Sequence, residues 1–312
     1  MTEAIRWLLF LSSVLFLPPL TVGVIRKTKA RLQNRVGAPV FQPILNLLKL
    51  LQKGETISYT ASWLFRAVCP VNMGIVILIA FLTPWVSYKP SVAGEDIFLV
   101  IYLLALVRFL TILASLDSAS PFGAFASSRE ATIALLVEPA VILSLVSLAI
   151  PVRTSNLGQI FSFGSGSGGS DPALWLLAGT GLFLASLVEL SRMPVDDPTT
   201  HLELTMVHEA MIIENSGKNL ALVEYAHALR MALLYGLSGQ CYLHAFCLFV
   251  PVTEWVRAGL SLALVLGLGV VTALIEGTAV KLQWRKVPEF IAYGLTMSLL
   301  ATLVAIARGT VL

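Results

Sequence analysis

"AIRWLLFLSSVLFLPPLTVGVI", residues 4–25, is an apolar run close to the ~20 residues of helix that cross a bilayer, and how it is read decides the fold. A removable leader would end its apolar region at a small-residue cleavage site. This run has no such site and passes directly into the basic segment that starts at Arg26, so it reads as a retained first membrane helix. Seven more runs of spanning length follow, at about residues 67–88, 97–116, 131–150, 173–190, 228–250, 258–280 and 288–308. A chain with 57% hydrophobic and 12% charged residues has the profile of an integral membrane protein. Helices satisfy their own backbone groups in lipid, and the strand-like alternation of a barrel is absent. The expected fold class is therefore all-α, a polytopic transmembrane helical bundle of about eight spans, with residues 1–312 forming a single integral membrane domain.

Basic residues set the expected orientation. Eight of the 21 Lys and Arg lie between Arg26 and Arg66, and Lys281, Arg285 and Lys286 cluster after the seventh span. Both segments are expected in the cytoplasm. The loops near Lys89, Arg153 and Arg257 carry one basic residue each and fall outside. Eight spans then leave both termini on the non-cytoplasmic side. The net charge of +3 reflects this bias and gives no support to a nucleic-acid partner. Cys69, Cys241 and Cys247 lie singly or six apart in apolar sequence, so they read as small buried side chains and not as a metal or iron-sulfur site.

Three segments interrupt the bundle. Residues 26–66 form a basic cytoplasmic loop in which "PILNLLKLLQK" places Ile44, Leu47, Leu48 and Leu51 on one helical stripe, the pattern of an interfacial helix. "FSFGSGSGGSDP", 161–172, is a Gly and Ser rich outer loop. Residues 191–225 form a cytoplasmic loop rich in ionisable groups. In it Asp196 and Asp197 lie between two prolines, where they suit the N-terminus of a helix "TTHLELTMVHEAMIIEN". His201 and His208 are two turns apart instead of the single turn of a zinc helix, and with Glu203 and Glu209 they do not share one face, so no metal site is expected. Phosphate-loop and nucleophile-elbow motifs are absent, and no catalytic centre is expected in this chain alone.

A charge near the bilayer centre costs several kcal/mol, so an ionisable residue inside a span is a functional-site hypothesis. Arg108 and Asp117 bracket the end of span three, Arg129 and Glu130 open span four with Glu138 deeper, Glu189 closes span five, Arg230 opens span six, and Glu276 nears the inner end of span seven. Arg108, Arg129 and Arg230 also fit helix-end residues snorkelling to the headgroups. Glu138 does not fit that description. Glu130 and Glu138 are eight residues apart, about 80 degrees around a helix and roughly 12 Å along it, so both can face one cavity. Carboxyls interspersed with Arg suit stepwise proton movement, and Pro139 weakens the helix ladder beside Glu138.

Three stretches together resemble the family formed by the membrane-embedded first subunit of respiratory complex I and the related membrane-anchor subunit of group 4 nickel-iron (NiFe) hydrogenases, such as formate hydrogenlyase. "RLQNRVGAPVFQPILNLLKLLQKG", 31–54, is similar to the family's first cytoplasmic loop, with Arg31 and Arg35 at matching positions. "SREATIALLVEPA", 128–140, is similar to its fourth-span motif, with Arg129 followed nine residues later by Glu138. "ELSRMPVDDPTTHLELTMVHEAMIIENSG", 189–217, places Glu189, Arg192, Pro194, Asp196, Pro198, Glu203 and Glu214 at matching positions. The resemblance covers almost the whole chain.

It implies a multi-pass subunit of the prokaryotic cytoplasmic membrane that anchors a peripheral redox module and couples electron transfer to proton or sodium translocation. The ion pathway it implies runs through Glu130, Glu138, Glu189, Asp196, Glu203, Glu214 and Glu276. The junction with the redox module, chamber-like and suited to quinone, comprises Arg31, Arg35, Arg129, Arg192, Asp197, His201 and His208. The implied partners are hydrogenase-like large and small subunits, iron-sulfur proteins carrying the clusters and the NiFe centre, and antiporter-like membrane subunits. No cofactor is expected on this chain alone. Leu136 and Val137 replace the Ser-Tyr usual in complex I, residues 199–202 replace its acidic run, and Asn46 replaces an acid. These departures favour the hydrogenase-like side over a quinone-chamber subunit. A stand-alone ion transporter is the reading from a different class, but neither inverted repeats nor a matched pair of broken spans supports it.

Overall fold

A computed structural model describes residues 3–163, 171–197, 206–247 and 253–309. The described elements are α1 (Glu3–Leu32), α2 (Gln42–Leu51), α3 (Trp63–Leu82), α4 (Ile97–Asp117), α5 (Pro121–Val152), α6 (Leu157–Phe163), α7 (Pro172–Glu189), α8 (His208–Ile212), α9 (Gly217–Cys247), α10 (Glu254–Thr278), a short 3-10 turn at Trp284–Lys286 and α11 (Val287–Gly309). Eight of these segments are long and apolar enough to cross a membrane. The protein is an integral, multi-pass membrane protein.

The helix starts and stops follow local chemistry. Asp96 and Asp171 cap α4 and α7 by accepting hydrogen bonds from Phe98 N–H and Ala173 N–H, and Pro121 and Pro172 occupy first turns, where a missing N–H is harmless. The sequence suggests that span two continues to residue 88, but α3 stops at Leu82. Thr83 precedes Pro84 and takes an extended conformation, φ −100 and ψ 137, as the proline ring demands. Residues 83–96 instead fold at the end of the bundle opposite the basic loops, where Trp85 is fully buried and Glu95 accepts from Lys89 and from the Val92 N–H.

The spans differ in length, and this positions the site. At 1.5 Å per residue, α5 with 32 residues runs about 48 Å, whereas α7 with 18 runs only about 27 Å. Three spans begin or end well beyond their expected limits: α1 continues to Leu32, α5 starts at Pro121, and α9 starts at Gly217. The loop expected over 191–225 is correspondingly shorter. Short α7 and long α9 are the most enclosed spans, while α4 and α11 are the most peripheral.

The ends of α1, α4, α7 and α10 share one face with the starts of α3, α5, α9 and α11. Ser62 N–H and Oγ–H bond Asp117 across α3 and α4, and Leu282 N–H bonds the Pro194 carbonyl. This face carries the basic loops. The opposite face is tied by Arg6 to Glu254 at 3.5 Å and by Ser155 to Asp96 at 2.7 Å. On the basic face α2 packs against α1 and α9. The expected stripe does not face inward as a unit: Leu48 and Leu51 are exposed with Phe41 and Leu45, while Pro43 is buried and Leu47 lines a cavity. Exposed apolar residues beside Lys49 suit a helix that lies at an interface.

Where α11 crosses α5 and α7, small residues let the backbones approach. Ser144 and Ser298 hydroxyls bond at 2.8 Å, and Ser298 Oγ–H donates to the Ala140 carbonyl at 3.0 Å. A Cβ at Gly181 would lie 2.6 Å from Ser298 Oγ and 2.9 Å from Ser144 Oγ. Gly181→Val should therefore cost about 1–3 kcal/mol, the usual range for overpacking. It should show as a lowered Tm in detergent, and an unchanged Tm would mean that this crossing is loosely packed.

Candidate functional site

Arg108 stands at the twelfth position of α4, far from either helix end, and is 5% exposed. Its guanidinium meets three carboxylates. The Glu138 contact is 2.7 Å, the Glu130 contact is 3.8 Å, and Glu189 forms the closest pair. Arg230, in the middle of α9, approaches Glu189 from the other side at 3.9 Å and donates to its backbone carbonyl at 3.5 Å. Glu189 ends α7, where the helix dipole disfavours an anion. Two guanidiniums offset that cost. The cluster counts three carboxyls against two cations, so it can take up one proton without gaining net positive charge. Neither Arg108 nor Arg230 snorkels to a headgroup region. Both are buried because pairing is what makes a charge tolerable at this depth.

A second ion-pair set lies toward the basic face, built on the turn that follows α7. Residues 190–196 are all buried although they are not helical. Irregular backbone at membrane depth requires protein around it, and here Arg192 N–H bonds the Leu187 carbonyl at 2.8 Å and Val195 N–H bonds that of Arg192 at 2.9 Å. The Met193–Pro194 peptide is cis and Ser191 has φ 48. Arg192 reaches Glu276 of α10 at 3.2 Å, and Lys29 of α1 lies 3.5 Å from Glu276 and 3.6 Å from Asp197. Asp196 receives Lys281 at 2.6 Å and the Asp197 and Val207 N–H groups at 2.9 Å each. Asp196 ties Val207 back onto the turn, and the start of the helix expected after it, at 199–205, lies outside the described residues.

Above this set is a cavity of about 360 Å³, whose wall includes Val22, Ile25, Pro43 and Leu47 on its apolar side and Arg192, Asp196, Glu276 and His208 on its polar side. Two smaller spaces continue inward. One, of about 30 Å³, lies beside Glu130, Arg108 and Arg230, and the next, of about 20 Å³, beside Arg108, Glu138 and Glu189. Each is large enough for a water molecule. Glu130 and Glu138 therefore face separate spaces bridged by Arg108, and not one shared cavity. His208 and His227 stack between the large cavity and the first small space, with ring centroids 4.2 Å apart. Burial first, then the Arg230 and Arg192 charges, hold the His208 pKa well below the usual imidazole value.

The remaining expected residues divide. Arg31, Arg35 and Glu214 are exposed and join neither set. Arg129 stacks over Phe125 at 4.0 Å and lies 5.5 Å from the Trp284 ring, joining α5 to the start of α11. His201 and Glu203 lie outside the described residues. Sequence reasoning missed Lys29 and Lys281 as partners, and it missed His227 altogether. His227 precedes Arg230 by three positions on one helix, a same-face spacing that pointed to the site.

A family profile described as NADH dehydrogenase matches residues 5–307. The chain belongs to that family. It is 31% identical to hydrogenase-4 component C of Escherichia coli over 225 residues, which cover 72% of this chain and 70% of the relative. It is 29% identical to formate hydrogenlyase subunit 4 of the same organism over 290 residues, covering 91% and 92%. An NADH-quinone oxidoreductase subunit of Chlorobaculum parvum is 25% identical over 243 residues, covering 72% and 66%. Among solved structures, a chain of the membrane-bound sulfane sulfur reductase, an archaeal respiratory membrane complex, superposes with a TM-score of 0.78 at 18% identity, covering 98% of this chain and 100% of that one, so the two share a fold.

Removing one partner from a buried ion pair strands the others. Arg108→Gln leaves Glu130, Glu138 and Glu189 with Arg230 as the nearest cation, and it should destabilise the fold by about 3–5 kcal/mol. Adding Glu189→Gln to that variant should recover part of the loss. Equal Tm values for the single variant and the wild type would show that Arg108 is not the centre of the cluster.

Proposed function

We propose that this chain is the membrane subunit of a multisubunit, energy-converting oxidoreductase of the group 4 nickel-iron hydrogenase or complex I-like kind. It anchors a peripheral redox module on its basic face and couples electron transfer to ion movement. The observation that carries this reading is the continuity of the large cavity, the ion pairs of the 190–197 turn and the Arg108 cluster. Together they form a line of ionisable groups from the basic face into the interior of the bundle. The membrane complexes that hold its relatives support membership in a multisubunit assembly, and their hydrogenase names favour that branch.

The excess of Lys and Arg makes the basic face cytoplasmic, with both termini on the other side. Peripheral subunits carrying iron-sulfur clusters and a NiFe centre would then dock over α2, the 55–62 connection and the 190–216 region, while antiporter-like membrane subunits would pack against the peripheral spans. Ion transfer follows from the pairing. When a carboxylate on the near side of the Arg108 cluster takes a proton, its hold on the guanidinium weakens, Arg108 shifts toward a carboxyl on the far side that already carries a proton, and that carboxyl gives its proton up. Glu138 suits the last position, because its side chain is 41% exposed while it still contacts Arg108.

The second reading is a quinone chamber, favoured by the size and apolar wall of the cavity, whose volume is within the range of small-molecule sites. Val22, Ile25, Pro43 and Leu47 would hold a ring or a prenyl tail there, and His208 and Arg192 would face its oxygens. Bound quinone would accept electrons from the partner's clusters.

Purification of the intact complex separates these readings: co-purifying nickel supports the hydrogenase branch, flavin with extractable quinone supports the complex I branch, and a homo-oligomer without metal supports neither. In the assembled complex Glu138→Gln should abolish ion translocation while assembly is retained. Translocation at the wild-type level would remove Glu138 from the path.

A further inference from the structure

The large cavity and the first water-sized space have only two described wall residues in common, His208 and His227. The two rings stack with 27° between their planes, and each faces both spaces, so the pair is the partition between them. Neither ring is an ordinary core histidine. Both remain partly accessible from the cavity, yet His227 Nδ1 is shielded and has no hydrogen-bond partner. Beyond the partition lie Glu130 and Arg108. We propose that the stacked His208–His227 pair is the relay through which protons pass from the cavity to the embedded acids, so that the ion crossing this step is the proton and not sodium. This inference rests on the ion-coupling reading above.

The chemistry suits imidazole. A neutral ring accepts a proton on one nitrogen and gives up the proton on the other, so it is neutral before and after with its tautomer exchanged. A proton from cavity water bonds to one ring nitrogen. The proton on the other nitrogen leaves to the space beside Glu130, and a Glu130 carboxylate oxygen takes it. Rotation of the ring restores the first tautomer. No electron moves, and the charge delivered is one proton, neutralised on Glu130.

Burial disfavours a standing imidazolium at His208, and Arg230 on the inner side and then Arg192 on the cavity side add to this. Transfer through the pair therefore favours two nearly concerted hops. Negative charge arriving in the cavity would ease that step by offsetting Arg192, which links transfer to the redox state of whatever docks there. A sodium ion gains nothing from stacked ring faces, whereas each nitrogen can hand on a proton.

The test uses the intact complex in sealed vesicles, with protons moved per electron transferred as the readout. His227→Phe keeps a stacked ring but has no nitrogen, and it should lower that ratio about tenfold or more. His227→Glu, which can carry a proton, should recover a substantial part of the ratio, and His227→Gln should not. A wild-type ratio in both His227→Phe and His208→Phe, or equal ratios for the Glu and Gln variants, would overturn the relay. Strict sodium dependence with no proton uptake would overturn it as well. Glu138→Gln measured in parallel separates the two levels: if it loses translocation while both Phe variants keep it, only the relay falls, and if it too is fully coupled, the ion-coupling reading falls.

Discussion

Arg108 is the constraint on which the rest of this structure depends. A guanidinium is effectively always charged, and here it is enclosed by α4, α5, α7 and α9 with almost no access to solvent. Such a charge is tolerable only if carboxylates surround it. Three do, drawn from two helices, and each fixes something else. Glu130 and Glu138 set the rotation of α5, and Glu189 sets where α7 must end. The cluster is costly to assemble and costly to break. That combination gives a unique packing of four spans, and it also gives groups whose pairing changes with one proton.

The early end of α7 has structural consequences. Because that helix is short, the following turn enters the bundle at membrane depth instead of looping over the surface. Its backbone polar groups are then satisfied by protein, and its side chains, Arg192 and Asp196, are delivered to α10 and to the loop after it. The cavity exists because long α1 and α9 and the small α2 stand around this sunken turn without filling the space above it. Arg192, Asp196, His208 and Glu209 therefore line a chamber and do not form a surface patch. His208, which the sequence did not fit to a metal site, stands at the inner wall of that chamber.

Much of this was legible in the sequence because the bilayer makes composition a strong signal. All eight spans are present near their expected positions. Errors fell where a local rule outweighed hydropathy, as at Thr83 before Pro84, or where a helix continued into polar sequence, as α1 does through Arg26 and Lys29. Glu138 stood out in the sequence from cost alone, because a carboxyl inside a span is expensive. Arg108 and Arg230 were ambiguous because an arginine near the end of an apolar run fits snorkelling and a buried pair equally well. Glu214 illustrates the opposite case: it matches a motif position and is nonetheless exposed.

By itself, the sequence determined the fold class, the number of spans, the face that carries the basic loops and the family. Each follows from the period and length of apolar runs or from the order of residues along one motif. Only the tertiary structure decided which charges meet. Arg108 is 81 residues from Glu189, Arg192 is 84 from Glu276, and Lys281 is 85 from Asp196. Pairing at such separations depends on the rotation and depth of each helix, which packing sets and no local pattern records. For the same reason the stacking of His227 of α9 on His208 of α8 was legible only in the folded chain.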